Sequence, residues 1–244
     1  MKTIYKILIP VGSLFLLILI ALSVFFFGFF LPQRKEKKEW EKQVYEYTQN
    51  KLAAYEAEND LMGDYEIDVA FLGDSLTDGY DVKKYYPQYA VSNRGIGGDT
   101  TFKLEARLKT SVYDLKPKVV VMLIGANNFA TMFENYESIL KGFQENLPDT
   151  KVVLVSLTSM GGELWGKNNQ LAAYNNVKIK KLAEKYSYTY VDMYSPLLNL
   201  ETGEIYEEYT TDGGHLTDKG YEVFTATLTP VIDEILVNYK GVSN

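Results

Sequence analysis

Residues 118–125 read KVVVMLIG, a nearly continuous run of apolar, mostly branched side chains that ends in glycine. Such a run is typical of a strand that is buried on both faces of a parallel sheet. Four further short runs share this character and lie on either side of it. They are IDVAFLG (67–73), YAVSNRGIGG (89–98), KVVLVSL (151–157) and YTYVDM (188–193).

Segments with helical periodicity separate these runs, at about residues 99–114, 132–147, 168–186 and 216–239. Strands that alternate with helices indicate a parallel sheet with helices on both of its faces. We therefore predict an α/β fold, built as a three-layer α/β/α sandwich around a five-stranded parallel sheet. This domain occupies residues 65–240, which is an ordinary domain size.

An uncharged apolar stretch, residues 7–31, precedes the domain and follows a short tail of residues 1–6. As a helix it would extend over roughly 37 Å, enough to cross a hydrocarbon core of about 30 Å with some tilt. A cleaved signal peptide has a shorter apolar core and a small-residue cleavage site, and neither is present here. We predict a transmembrane anchor, joined to the domain by a charged linker or helix over residues 32–64.

The orientation of this anchor follows less directly from the charges that flank it. Two lysines precede the stretch and four basic residues follow it, namely Arg34, Lys35, Lys37 and Lys38. Counted alone, these charges favour a cytoplasmic domain. Single N-terminal anchors ahead of one large globular domain usually leave that domain outside, so the prediction is a single-pass cell-membrane protein with an extracellular domain.

Composition excludes several classes of function. The formal net charge is −7 and the isoelectric point is about 4.9, which argues against a nucleic-acid partner because phosphate backbones bind basic surfaces. The chain has no cysteine, which rules out disulfides, thiolate nucleophiles and cysteine-ligated metals. Asp74, Asp78 and Asp81 lack the spacing of a calcium loop. We interpret Asp74 as shaping a turn and the other two as solvated, and predict neither metal nor organic cofactor.

Polar residues and glycines follow three of the predicted strands, in GDSLTDGY (73–80), NRGIGGDT (93–100) and GANNF (125–129). Ligands of open parallel sheets bind beyond the carboxyl ends of the strands. Ser75 there would have its oxygen at a helix N-terminus, Gly98 could offer its N–H to an oxyanion, and the Asn127 amide could do the same. Each also has a structural interpretation, as a helix cap for Ser75 and Asn127 and as a turn glycine for Gly98. The dinucleotide fingerprint would need glycine where Thr100 stands.

The segment TTDGGHLTDKGYEVF (210–224) contains His215, the only histidine of the chain. Asp212 precedes it by three residues, and this spacing on a turn lets a carboxylate reach the imidazole Nδ1–H. That contact would fix the tautomer and leave Nε2 free to accept a serine proton. A surface turn that happens to contain histidine is the alternative, and the isolated motif does not exclude it. Trp165, in the long loop after the fourth run, either lines a substrate pocket or simply packs.

Taken together, these motifs resemble the SGNH or GDSL hydrolase family. The chain has GDSL (73–76), GIGGDT (95–100), GANN (125–128) and DGGH (212–215) in the family's order. Within the family it is similar to the catalytic subunits of platelet-activating-factor acetylhydrolase, which share N-x-G-I-G-G-D-T-T and the L-K-P-K-V that leads into the third strand. The resemblance spans about residues 67–235 and implies a flavodoxin-like three-layer sandwich.

The resemblance also implies roles for individual residues. Ser75 would be the nucleophile, His215 the base, and Asp212 the carboxylate that orients it. The oxyanion hole would consist of the N–H groups of Ser75 and Gly98 and the side-chain amide of Asn127. Many members have aspartate where this chain has Asn128, although the acetylhydrolase-like members have asparagine.

The predicted function is that of a membrane-anchored serine esterase that works through an acyl-enzyme. Its substrate would be a small acyl ester, an acetylated glycan or a lysolipid, and carbohydrate O-acetyl esterase activity is one specific form. A lysophospholipase or thioesterase is an alternative enzyme. A non-catalytic surface binding module of the same fold is the alternative outside enzymology.

Overall fold

The computed structural model describes residues 23–26, 28 and 31–239. The chain forms two compact units, with residues up to Lys51 in one and residues from Leu52 in the other. The predicted anchor, residues 7–31, lies almost wholly outside the described residues. Within the described ranges, no helix combines the length and the apolar character needed to cross a bilayer.

The first long helix, α1 (Leu31–Leu61), covers most of the predicted linker. Its final turns belong to the same unit as the sheet, and Tyr55 is buried there. The Tyr55 hydroxyl donates to the carbonyl of Gly95 at 2.7 Å, and Glu58 pairs with the fully buried guanidinium of Arg94 at 2.6 Å. The end of α1 is therefore part of the packed domain.

We expect a fragment that starts at residue 65 to be less stable than one that starts at residue 52. The shorter fragment leaves the Arg94 charge buried without Glu58, and removing one partner of a buried ion pair typically costs about 3–5 kcal/mol. Urea unfolding of the two fragments measures the difference. Equal free energies of unfolding would show that α1 contributes nothing to the domain.

The sheet has five parallel strands in the order β2-β1-β3-β4-β5. Their bounds are β1 Val69–Gly73, β2 Val91–Gly95, β3 Val119–Leu123, β4 Lys151–Val155 and β5 Thr189–Val191. The five predicted strands are thus confirmed, and the strand order is that of flavodoxin-like sheets. Gly73 is in register with Gly95 on one side and with Leu123 on the other, so β2, β1 and β3 end level with one another.

Helices cover both faces of the sheet. They are α2 Ser75–Asp78, α3 Val82–Tyr85, α4 Thr101–Ala106, α5 Tyr136–Asn146, α6 Gly162–Trp165, α7 Asn169–Tyr186 and α8 Asp218–Val237. Alternate residues of each strand face opposite layers: Leu72 and Met122 pack with the α4, α5 and α7 side, whereas Phe71 and Val121 pack with the α2, α3 and α8 side. The three-layer α/β/α architecture follows from this division of the core.

Two local features differ from the prediction. The segment expected to be one helix over 99–114 is interrupted, because α4 ends at Ala106 and a π-helical turn follows at Lys109–Tyr113. A two-stranded antiparallel hairpin, β6 (Leu198–Asn199) with β7 (Glu204–Ile205), also follows the sheet. Two-residue strands are too short to show the alternation from which strands are predicted.

Candidate active site

The level ends of β2, β1 and β3 bring three loops to one edge of the sheet. Ser75 lies two residues after β1, Gly98 three residues after β2, and Asn127 four residues after β3. A pocket at this edge is lined by Ser75 and Asn127 together with His215 from the loop before α8. Residues separated by up to 140 positions therefore meet at one place.

A chain of hydrogen bonds joins Ser75, His215 and Asp212. The Ser75 Oγ lies 2.9 Å from His215 Nε2, and His215 Nδ1 lies 2.8 Å from Asp212 Oδ2. The other carboxylate oxygen of Asp212 accepts the N–H groups of Gly214 and His215 at 2.9 and 2.8 Å. With the ring proton on Nδ1, donated to Asp212, Nε2 is left to accept the hydroxyl proton of Ser75.

The charge of Asp212 is stabilised by its surroundings. Partial burial alone would raise its pKa, but the hydrogen bonds from the His215 N–H, the His215 ring and the Gly214 N–H outweigh burial and hold the pKa well below its ordinary value. Asp212 is therefore ionised at neutral and mildly acidic pH. An ionised carboxylate at Nδ1 is the group that stabilises an imidazolium when the ring takes a proton.

The turn that carries Asp212 and His215 depends on Gly213, whose φ of +92° lies in the left-handed region. Its N–H donates to Thr210 Oγ1 at 2.8 Å and its carbonyl accepts from the Gly161 N–H at 2.9 Å. A Cβ at this position would lie 1.9 Å from the Gly161 carbonyl oxygen. The close approach of the Gly161 backbone thus explains why a glycine stands between the carboxylate and the imidazole.

The Ser75 turn is shaped by Asp74, as the sequence interpretation proposed. Asp74 is fully buried and its Oδ1 accepts the N–H of Leu76 at 3.2 Å, which caps the short helix α2. Its second oxygen, Oδ2, has no hydrogen-bond partner within the described chain. Burial raises the pKa of Asp74 to about 7, and the Leu76 hydrogen bond offsets only part of that rise.

This raised pKa predicts a pH-dependent stability. An unfolded aspartate has a pKa of about 3.9, so the folded protein holds the Asp74 proton more tightly, and stability falls as pH rises from about 4 through about 7. Asp74→Asn keeps the oxygen that caps α2 and removes the titration. We expect the free energy of unfolding of Asp74→Asn to increase relative to wild type across that interval, as urea denaturation at pH 4.5, 6 and 8 would measure. Parallel pH dependences in the two proteins would contradict the assignment.

Three potential donors point to this edge of the sheet from different loops. Gly98 has a φ of +75°, and neither its N–H nor that of Ser75 donates to a protein acceptor within the described residues. Asn127 is exposed and donates one amide hydrogen to the carbonyl of Asp99 at 2.9 Å, which leaves its second hydrogen available. The predicted oxyanion donors therefore lie on neighbouring loops of one edge.

The pocket between these groups is small, with a free volume of about 10 Å³. Apolar side chains of Leu76, Met160 and Trp165 line it beside the polar groups. The Trp165 ring meets the His215 ring edge-on, with centroids 5.6 Å apart and an interplanar angle of 88°. Trp165 thus lines this pocket and also packs against the apolar core, so both features that the sequence offered as alternatives are present.

A model of the GDSL-like lipase/acylhydrolase family matches residues 71–223, which include all the motifs named above. The chain belongs to this family. It is accordingly an ester-hydrolysing enzyme of the GDSL, or SGNH, type, as the sequence resemblance predicts.

Individual relatives place the chain within the family. It is 30% identical over 192 residues to the platelet-activating factor acetylhydrolase IB subunit alpha2 of Rattus norvegicus, an alignment that covers 71% of this chain and 79% of the relative. A GDSL-like lipase from Bacteroides thetaiotaomicron is 25% identical with a TM-score of 0.66, over 75% of this chain and 97% of that one. An acetylxylan esterase from Geobacillus stearothermophilus shares the fold at 18% identity and a TM-score of 0.58, over 69% and 95%.

The position at which many members of this GDSL family have aspartate has a structural role here. Asn128 accepts the N–H of Thr101 at 3.2 Å and donates to the Thr101 hydroxyl at 2.9 Å, so it ties the β3 loop to the start of α4. An asparagine can make both bonds, whereas an ionised aspartate can only accept. Asn128 therefore holds the loop that carries Asn127.

One of the two acidic residues that we interpreted as solvated differs from that interpretation. Asp78, which we interpreted as solvated, is half-buried and accepts the N–H of Gly97 at 2.9 Å, so it supports the loop that carries Gly98. Asp81 is exposed, as predicted, and caps α3 by accepting the Lys84 N–H. Among the residues described, no group of three or more histidines, cysteines or acidic residues is placed to hold a metal ion.

Proposed function

We propose that Ser75, His215 and Asp212 are the nucleophile, base and orienting carboxylate of a serine esterase. The observation that carries this proposal is the 2.9 Å contact between Ser75 Oγ and His215 Nε2, continued by the 2.8 Å contact between Nδ1 and Asp212. A nucleophile hydrogen-bonded to a base, which is in turn hydrogen-bonded to an orienting group, is the arrangement that activates a serine hydroxyl. The family's ester-hydrolysing chemistry is consistent with these roles.

The reaction proceeds in two acyl-transfer steps. Ser75 Oγ attacks the ester carbonyl carbon while His215 Nε2 takes its proton, and the resulting oxyanion receives hydrogen bonds from the Ser75 N–H, the Gly98 N–H and the Asn127 amide. Collapse breaks the bond to the alcohol, which leaves with the proton from His215. A water molecule, deprotonated by His215, then attacks the acyl-serine; the bond between the acyl carbon and Ser75 Oγ breaks, His215 returns the proton to Oγ, and the carboxylic acid leaves.

The size of the pocket supports a short acyl group. About 10 Å³ of free volume beside Ser75 is close to the smallest space that holds one water molecule, so a long chain has no room there without movement of Leu76, Met160 or Trp165. Acetyl is the smallest common acyl group, so it requires the least movement of these side chains. Lipolytic or thioesterase activity on long acyl chains is the alternative that this observation disfavours.

A second cavity supports a hydroxyl-rich alcohol. It has a volume of about 430 Å³ and lies beside Asp212 and Gly213. Its polar lining includes Asn199, Thr202, Glu204, Glu207 and Thr210. Hydroxyls and carboxylates bind sugar hydroxyl groups, whereas the two glutamates repel the phosphate of a lysolipid. We therefore propose a carbohydrate O-acetyl ester as substrate, in keeping with the acetylxylan esterase that shares the fold.

The proposed chemistry is tested by labelling with a fluorophosphonate probe. Wild type should be labelled at Ser75, and Ser75→Ala should not be labelled. Ser195→Ala is the control, since the hydroxyl of this serine also makes a side-chain hydrogen bond, donating to the Asp192 carboxylate, but lies at another turn and contacts no imidazole. Absence of wild-type labelling would favour the non-catalytic binding module. Acetyl, longer-acyl and lysophospholipid esters of matched solubility then distinguish the substrate classes.

Replacing Asn127 by alanine tests the oxyanion hole. We expect kcat for an acetyl ester to fall by about 10²–10³-fold with little change in stability, because one transition-state donor is lost from an exposed side chain. Asn128→Ala is the neighbouring comparison: it loses both bonds to Thr101, so stability should fall by about 1–3 kcal/mol, whereas kcat should fall less than in Asn127→Ala because the donor itself is kept. Steady-state kinetics and thermal unfolding of both variants separate the two roles. A kcat near that of wild type in Asn127→Ala would remove Asn127 from the mechanism.

The location of the enzyme is a separate part of the proposal. We infer the organisation predicted from the sequence: a tail (1–6), a membrane anchor (7–31), a connecting segment (32–64) and the hydrolase domain (65–240), with the domain outside the cell. The 25-residue uncharged stretch supports the anchor. Protease treatment of intact cells that express a C-terminally tagged protein should remove the tag. A tag that resists the protease would show that the domain lies inside the cell.

A further inference from the structure

Arg107, which the proposed mechanism does not use, is buried against the ends of β1 and β2. Its side chain is 5% exposed and that of its partner Asp99 is 2% exposed. The Nε donates to Asp99 Oδ2 at 2.7 Å, and Nη2 donates to the Gly73 carbonyl at 3.0 Å. The remaining nitrogen, Nη1, donates to the Arg94 carbonyl at 3.0 Å and to Ser111 Oγ at 2.7 Å. A single guanidinium therefore makes four hydrogen bonds to four different residues.

The partners of Arg107 connect the loops of the site. Gly73 is the last residue of β1, two positions before Ser75, and Arg94 lies in the last two residues of β2, four positions before Gly98. Asp99 is the residue that follows Gly98. The planar guanidinium consequently donates hydrogen bonds to the ends of both strands, which lead into the first two proposed oxyanion donors.

Asp99 extends this network to the third donor. Its carboxylate is held by Arg107, and its backbone carbonyl accepts the amide hydrogen of Asn127 at 2.9 Å. The orientation of the Asn127 side chain therefore depends on where Arg107 holds Asp99. All three donors are thus connected to the same buried guanidinium. Ser75 and Gly98 lie a few backbone residues from carbonyls that Arg107 binds, and Asn127 is connected through Asp99.

The local structure of the chain around Arg107 is consistent with this role. The helix α4 ends at Ala106, and Lys109–Tyr113 forms a π-helical turn that returns Ser111 to the guanidinium. Such turns are rare and often occur at functional sites. The interruption of the helix that the sequence predicted over 99–114 thus coincides with the residue that binds the strand ends.

We propose that Arg107 is a positioning residue that, with Asp99, sets the relative positions of the Ser75, Gly98 and Asn127 donors. This inference rests on the proposed function of those donors. Oxyanion stabilisation requires donors that are placed before the charge develops, so a small displacement reduces kcat while substrate binding is retained. Lysine cannot replace arginine here, because an ammonium has no planar fork with which to span both carbonyls and the carboxylate.

The test compares Arg107→Lys with Arg94→Lys in the full chain. Arg94 is equally buried, but its side chain binds Glu58, Ser92 and the carbonyls of Tyr55 and Thr110 rather than the strand ends at the site. With an acetyl ester, we expect Arg107→Lys to lower kcat by about 10–100-fold with KM within threefold of wild type. Its pH–rate profile should keep its position, since Ser75, His215 and Asp212 are not contacted. Arg94→Lys should lose thermal stability with kcat within about threefold.

A second variant, Asp99→Asn, keeps the shape of the partner and weakens its bond to Arg107, so it decides the question if Arg107→Lys does not fold. We expect its kcat to fall by about tenfold, and the double variant to lose less than the product of the two single effects. Wild-type turnover that disappears in Ser75→Ala first establishes the proposed function. Given that result, a kcat near wild type in Asp99→Asn or in folded Arg107→Lys, or an equal loss in Arg94→Lys, overturns the positioning role alone.

Discussion

Replacing His215 by alanine is expected to lower kcat for ester hydrolysis by about 10⁴–10⁶-fold, the range seen when a serine hydrolase loses its base. The chain has one histidine, so no other imidazole can take its place. The fold should survive, because the ring is partly exposed and the backbone of residue 215 makes the bonds that hold the turn. Its N–H donates to Asp212, and its carbonyl accepts from Thr210 Oγ1 and the Thr211 N–H.

The measurement is steady-state turnover of an acetyl ester, with circular dichroism to confirm the fold. Ser75→Ala serves as the comparison, since nucleophile and base act as one unit. The double variant with both Ser75→Ala and His215→Ala should have a kcat no lower than that of the slower single variant. Turnover of His215→Ala within tenfold of wild type would overturn the proposed mechanism, whatever the double variant does.

Replacing Asp212 by asparagine is expected to lower kcat by about 10⁴-fold. The asparagine amide would donate to His215 Nδ1, which forces the ring proton onto Nε2 and leaves nothing to accept the Ser75 proton. The oxygen that accepts the Gly214 and His215 N–H groups is retained, so the turn should keep its shape. Loss of rate without loss of fold is therefore the expected pattern.

Asp192→Asn is the matched control for this variant. Asp192 also caps a turn, accepting the N–H groups of Tyr194 and Ser195 and the Ser195 hydroxyl, but no imidazole contacts it. Its substitution should leave kcat unchanged. If Asp212→Asn and Asp192→Asn had the same kcat as wild type, the carboxylate would have no part in orienting the ring.

The sheet and the meeting of the site loops could be predicted because both follow from local patterns. Apolar runs mark strands, and parallel strands end at one edge, so Ser75 and Asn127 were expected near each other. The contact of His215 with Ser75 was predictable only from the family resemblance, since 140 residues separate them. No periodicity specifies a contact of that length.

The supporting residues were not predictable for the same reason. Arg107 contacts Gly73 and Arg94, which lie 34 and 13 residues away, and a single buried arginine leaves no pattern in the sequence. Asp78 looked solvated because it stands among polar residues, and only the fold brings the Gly97 N–H to it. Likewise Glu58 lies in a charged helix whose exposed and buried turns have similar composition.

The lone His215 also makes the site directly visible to NMR spectroscopy. One histidine means one pair of imidazole carbon-bound proton signals in the entire spectrum, which need no isotopic editing or assignment by substitution. Protein purified without a polyhistidine tag would report the protonation of the Ser75-bound ring from those two lines. Covalent modification of Ser75 would shift them, so each intermediate of the reaction would have its own signature.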